Sequence, residues 1–132
     1  MEQHYDLISI GGGSGGLAAA QRAAAYGAKA LVIERGRLGG TCVNLGCVPQ
    51  KVMWHAAELA QFFRDAPGYG FAKTEPQHDW AALVERRENY IRRLNGIYER
   101  NLDKRQVTHI SGNASLVDAH TAGGQGHPEA IG

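Results

Sequence analysis

Apolar and polar positions change their period several times along the chain. Tyr5-Asp6-Leu7-Ile8-Ser9-Ile10 is a short apolar run that reads as a buried strand. It leads directly into Gly11-Gly12-Gly13-Ser14-Gly15-Gly16. Leu17 to Tyr26 follows, dominated by Ala18, Ala19, Ala20, Ala23, Ala24 and Ala25, which are good helix formers with little bulk. Gly27 stops that helix, and Ala30-Leu31-Val32-Ile33 reads as a second buried strand. Further on, Val48, Val52, Ala56, Leu59 or Ala60, and Phe63 keep helical spacing, which predicts a helix to about Arg64. Ala66-Pro67-Gly68-Tyr69-Gly70 breaks the pattern, and a loop is expected as far as about His78.

Asp79 is a fair N-cap for a long helix. Trp80, Leu83 or Val84, Tyr90 or Ile91, Leu94, Ile97 or Tyr98, and Leu102 mark its apolar face. Glu85, Arg86, Glu88, Arg92 and Arg93 form a charged face that reads as solvated. Gly96 is expected to interrupt the helix. Val107 to Ser111 and Ala114 to Val117 read as short strands around Gly112-Asn113. From Ala119 the periodicity is lost, and residues 119–132 are expected to form an unstructured tail.

Strand, glycine turn, helix and strand make a βαβ unit, so the fold class expected is α/β with a Rossmann-like nucleotide-binding unit. The turn satisfies G-x-G-x-x-G in the context that motif requires. Gly11 permits the tight turn, Gly13 lets the backbone approach a pyrophosphate, and Gly16 allows close helix–strand packing. The helix N-terminus faces the phosphates. Glu34 ends the second strand, about 20 residues past the glycines, where an acid meets a ribose hydroxyl pair. The alternative is a glycine-rich turn in an ordinary βαβ unit with the acid there by chance. An acid in place of a basic residue disfavours a 2′-phosphate, so FAD or NAD is favoured over NADP at this site.

The two cysteines, Cys42 and Cys47, lie in Gly39-Gly40-Thr41-Cys42-Val43-Asn44-Leu45-Gly46-Cys47-Val48-Pro49, at the expected start of a helix. Pro49 suits a first-turn position, and a helix N-terminus favours a thiolate. Such a pair is able to cycle between dithiol and disulfide. A structural disulfide or two inert thiols is the alternative. The composition narrows the classes further. The formal net charge is +1, with basic residues scattered, so no nucleic-acid footprint is expected. Two cysteines are too few for a disulfide scaffold, and no apolar run approaches the roughly 20 residues that span a bilayer. The polar N-terminus is unlike a signal peptide, and a cytoplasmic protein is expected. No histidine has ligand partners at metal spacing, so no metal site is expected.

Together, Gly11–Gly16, Glu34 and the cysteine segment resemble the pyridine nucleotide–disulfide oxidoreductases. Lys51-Val52-Met53-Trp54 and Leu94-Asn95-Gly96-Ile97-Tyr98 narrow the resemblance to members that reduce glutathione disulfide. Members acting on trypanothione, thioredoxin or mercuric ion are the alternatives. The resemblance implies FAD, electrons from NADPH, glutathione disulfide as substrate and a homodimer. It makes Cys47 the thiol next to the flavin and Cys42 the interchange thiol. It implies FAD contacts from Ser14, Gly15, Glu34, Thr41 and Cys42, and adenine contact through the Gly112–Ala114 backbone. Ser14 and Tyr98 would lie near glutathione. Two positions depart from the family. Gln50 stands where a lysine lies beside the flavin, and Gln21 where a glutathione-contacting arginine is often found. Residues 1–118 are thus expected to be a partial FAD-binding domain, incomplete at its C-terminus, with the NADPH-binding and dimerisation domains absent. The chain alone is expected to have no turnover.

Overall fold

The computed structural model describes residues 3–125. Strand β1 (Leu7–Ile10) is followed by helix α1 (Ser14–Ala25) and strand β2 (Ala30–Glu34). Helices α2 (Gly40–Asn44) and α3 (Cys47–Asp65), a 3-10 turn (Ala66–Tyr69) and helix α4 (Trp80–Lys104) come next. Strands β3 (Thr108–Ser111), β4 (Asn113–Leu116) and β5 (Ala122–Gln125) complete the described chain.

The sheet has the order β1-β2-β3 and is parallel throughout, with Leu7 opposite Ala30 and Leu31 opposite Thr108. The expected adjacent, parallel pair of strands is therefore present. Central β2 is apolar at nearly every position because both its faces are covered. Ala30 and Val32 pack with Leu17 and Ala20 of α1, Leu38, Leu102 of α4 and Val107. Leu31 and Ile33 pack on the opposite face with Tyr5 and Ala122. The alanines of α1 act as the sequence suggests, since a helix that presents Ala20 can lie close on the strands.

Three expectations need correction. The tail expected over 119–132 is in part a strand. Ala122–Gln125 pairs antiparallel with Asn113–Leu116, and Ala122 is buried against the sheet. A Cβ at Gly124 would collide with the Asn113 carbonyl, so this glycine marks a close approach of two backbones. Composition alone reads the same glycines as disorder. Residues 126–132 of the expected tail lie outside the described residues. Secondly, Gly96 does not interrupt α4, which runs unbroken from Trp80 to Lys104. A glycine inside a helix costs about 1 kcal/mol, and burial of Ile91 and Leu102 on either side of it offsets that. Thirdly, the cysteines do not share one helix start. A break at Leu45-Gly46 puts Cys42 inside α2 and Cys47 at the first position of α3.

The glycine turn has the geometry its motif requires. Gly11 has φ 108°, a conformation that disfavours any side chain. A Cβ at Gly16 would strike the Gly11 carbonyl oxygen and the Ser9 hydroxyl. Gly16→Ala should therefore destabilise the fold by about 1–3 kcal/mol in urea unfolding, through overpacking. Gly15 has nothing within 4 Å of an added Cβ. Gly15→Ala in the same helix turn should be neutral or stabilise by up to about 1 kcal/mol.

Candidate functional site

The end of α1 that faces the glycine turn is left open to an anion. Gly13 is its N-cap and provides no side-chain cap, and no acidic residue stands in its first turn. The first N–H groups of a helix lack intrahelical partners, so this end offers donors and a favourable dipole to a phosphate. Beside it lies a groove of about 610 Å³ between the C-terminal ends of β1 and β2, the start of α2 and the β3–β4 junction. Gly11, Glu34, Thr41 and Ala114 all line it. Sequence positions more than a hundred residues apart thus line one groove.

Glu34 is held in place by backbone donors. One carboxylate oxygen accepts from the Gly12 N–H at 2.6 Å and the other from the Gly36 N–H at 2.7 Å. An ionised carboxylate has about four lone-pair sites, so acceptor capacity remains for a ligand hydroxyl. Gly12 must be a glycine here, since a Cβ would lie 2.8 Å from the Leu38 side chain and 3.0 Å from Glu34 Cβ. These residues fit the ribose and phosphates of a dinucleotide: backbone N–H groups for the phosphates and an acid for the hydroxyls.

The cysteine segment is tied to the same turn. The Gly39 N–H donates to the Gly12 carbonyl at 2.8 Å. Gly40 approaches so closely that a Cβ there would lie 2.7 Å from Gly13 Cα. This places α2, with Thr41 and Cys42, against the nucleotide turn. Both cysteines are free thiols, Cys42 half-buried and Cys47 exposed. The Cys42 thiol is pushed above the usual thiol range. Hydrogen bonding to the Cys47 side chain is the main cause, followed by burial and the Cys47 charge, while the Cys47 backbone N–H pulls the other way. The expectation of thiolate stabilisation at a helix start thus fails for Cys42. It sits within α2, and its neighbour is another thiol that competes for the same proton.

Other expected positions lie outside the groove. Ser14 and Gly15 open α1 and are exposed; Gly13 faces Gly40. Gln21 donates to the Leu17 carbonyl at 3.1 Å along its own helix. The half-buried Tyr98 packs against the core cluster beneath α1. Gln50 is exposed at the start of α3 and lines a separate shallow depression with Leu45, Pro49, Met53, Trp54 and Arg87. Sequence reasoning gave no role to Asn44 and Asn95. Their side chains are hydrogen-bonded at 2.9 Å and join α2 to α4. Their only sequence signal was membership of the motifs quoted for the resemblance. Among the described residues no cluster of potential metal ligands is found, and no helix is long and apolar enough to cross a membrane.

A glycine turn of the dinucleotide-binding type is thus joined by direct backbone contact to the segment that carries both thiols. The chain belongs to the pyridine nucleotide-disulphide oxidoreductase family, which it matches over residues 5–130. Among curated proteins it is similar to a glutathione reductase of Yarrowia lipolytica, 56% identical over 117 residues, which is 86% of this chain and 25% of that protein. A glutathione reductase of Schizosaccharomyces pombe is 54% identical over 115 residues, 86% of this chain and 25% of its own length. One of Debaryomyces hansenii is 48% identical over 123 residues, 88% of this chain and 25% of its own length. The chain spans about a quarter of the length of these relatives.

The coupling of the two thiols sets a pH dependence. A raised pKa leaves less Cys42 thiolate at any pH below it, and the thiolate is the form that reacts. Alkylation of Cys42 in the reduced chain, followed by peptide mass spectrometry, should keep rising past the pH at which an ordinary cysteine levels off. Cys47→Ala removes the main cause, so the profile should move to lower pH.

Proposed function

We propose that this chain is the flavin-binding portion of an NADPH-driven reductase of glutathione disulfide. The observation that carries the reading is the junction of the Glu34 groove with α2, which brings Thr41 and Cys42 to the nucleotide turn. Bound FAD would take electrons from NADPH and return the Cys42–Cys47 disulfide to the dithiol. The N-terminal N–H groups of α1, with Ser14 and Gly15, would hold the pyrophosphate, Glu34 the ribose, and the Ala114 backbone the adenine. No NADPH site is assigned to residues of this chain.

Cys42 would act as the attacking thiolate. It bonds to one sulfur of glutathione disulfide, the S–S bond breaks, and the first glutathione leaves and takes up a proton. The Cys47 thiolate then attacks the Cys42 sulfur, releases the second glutathione and closes the Cys42–Cys47 disulfide. Two electrons have passed from the dithiol to the substrate. Ser14, Gln21 and Tyr98 are the side chains assigned to glutathione. Gln50 offers an amide hydrogen bond beside the flavin but no charge. A homodimer and a cytoplasmic location are part of the same proposal.

The test is titration of the chain with FAD, read by quenching of flavin fluorescence. Saturable binding is expected, with NAD binding much more weakly. Glu34→Gln removes the charge that accepts the ribose hydroxyls and should weaken FAD binding by about ten- to a hundredfold, the loss expected for one charge-assisted hydrogen bond. Preferential binding of NAD would overturn the flavin assignment.

A further inference from the structure

Helix α2 is five residues long and buries only Val43, so its own contacts hold it weakly. The Asn44–Asn95 pair supplies what is missing. Asn95 projects from the middle of α4, and its amide nitrogen donates to the Leu38 carbonyl at 2.7 Å as well as to Asn44 Oδ1 at 2.9 Å. Asn44 Nδ2 in turn donates to the Gly40 carbonyl at 2.8 Å and lies 3.2 Å from the carbonyls of Leu38 and Arg37. The orientation of both amides is set by these backbone carbonyls, which can only accept. The pair therefore has a direction. Donors run from α4 into the segment before Cys42, and the one side-chain acceptor it presents, Asn44 Oδ1, faces Asn95.

Asn44 stands between the two cysteines in sequence. Whatever fixes α2 fixes Cys42 relative to Cys47, which begins α3. We infer that Asn95 is a positioning residue for the thiol pair: through Asn44 and Leu38 it holds α2 so that the Cys42 sulfur is presented to Cys47. This deepens the proposed redox function and rests on it. The physical consequence is on the dithiol side of the equilibrium. A closed disulfide adds its own constraint on α2, whereas in the dithiol the amide pair is the tie that joins α2 to α4, beside the Gly39–Gly12 hydrogen bond and buried Val43. Loss of the pair frees the dithiol, which gains conformational entropy, and closure becomes less favourable.

The experiment equilibrates the reduced chain in glutathione–glutathione disulfide buffers, quenches with an alkylating agent and counts free thiols by mass spectrometry. In closure, Cys42 and Cys47 together give two electrons and two protons to one glutathione disulfide, which becomes two glutathione molecules. Asn95→Ala should shift the equilibrium towards dithiol by about tenfold, about 30 mV for a two-electron couple. Asn95→Asp keeps the shape but turns an acceptor towards Leu38 O and Asn44 Oδ1, so its shift should be larger. Asn89→Ala, on the exposed face of the same helix, should leave the equilibrium at the wild-type value. If Asn95→Ala does not fold, Asn44→Ala carries the same test, since it leaves α4 and the Asn95–Leu38 bond in place. Urea unfolding of each reduced variant separates loss of stability from loss of positioning. An equilibrium within twofold of wild type in Asn95→Ala and Asn95→Asp would overturn the inference. A wild-type chain that never closes its disulfide would overturn the redox reading beneath it.

Discussion

Two backbones meet at Gly13 and Gly40, and the rest of the site depends on that contact. There is no room for a side chain at Gly40, because a Cβ would lie 2.7 Å from Gly13 Cα. A hydrogen bond from the Gly39 N–H to the Gly12 carbonyl fixes the approach. The glycine turn and the thiol-bearing helix are consequently one rigid piece. A redox centre needs its electron source within reach of its thiols. Under the proposed function that distance would be set by glycine backbones, which have no rotamers to vary.

The packing around this contact serves to hold it. Strand β2 brings Glu34 to the groove because Ala30 and Val32 lock one face and Leu31 and Ile33 the other. A one-residue slip would exchange the two faces, so the position of the acid is specified by the whole core. Helix α4 contributes Leu102 to that core and, about two turns earlier, Asn95 to the cysteine segment. The same helix thus ties the sheet to α2. In contrast, α3 buries only Pro49, and Trp54, Leu59 and Phe62 stay exposed.

The thiols show how an immediate neighbour outweighs a general rule. A helix N-terminus lowers a thiol pKa when its free N–H groups reach the sulfur. For Cys42 the nearest influence is the Cys47 side chain, and the net effect is upward. The Cys42 proton is held more tightly because its partner is another thiol.

Much of the fold was legible in the chain because it follows from short-range rules. Gly11 at φ 108° and Gly16 against the Gly11 carbonyl are positions only glycine fills, and the motif marks them whatever lies elsewhere. The continuous apolar run Ala30–Ile33 and the alanine-rich run before Gly27 specify strand and helix locally. Membership of the family was readable for the same reason. Tertiary structure decided what depends on distant partners. Gly123-Gly124 looks like disorder until Asn113–Leu116 lies beside it, and Gly96 looks like a break until Ile91 and Leu102 are buried around it. Asn44 and Asn95 are ordinary polar residues in sequence, and only the packing of α4 across α2 makes their amides a clamp. A hydrogen bond between residues 51 positions apart has no periodicity to betray it, so only the folded chain reveals it.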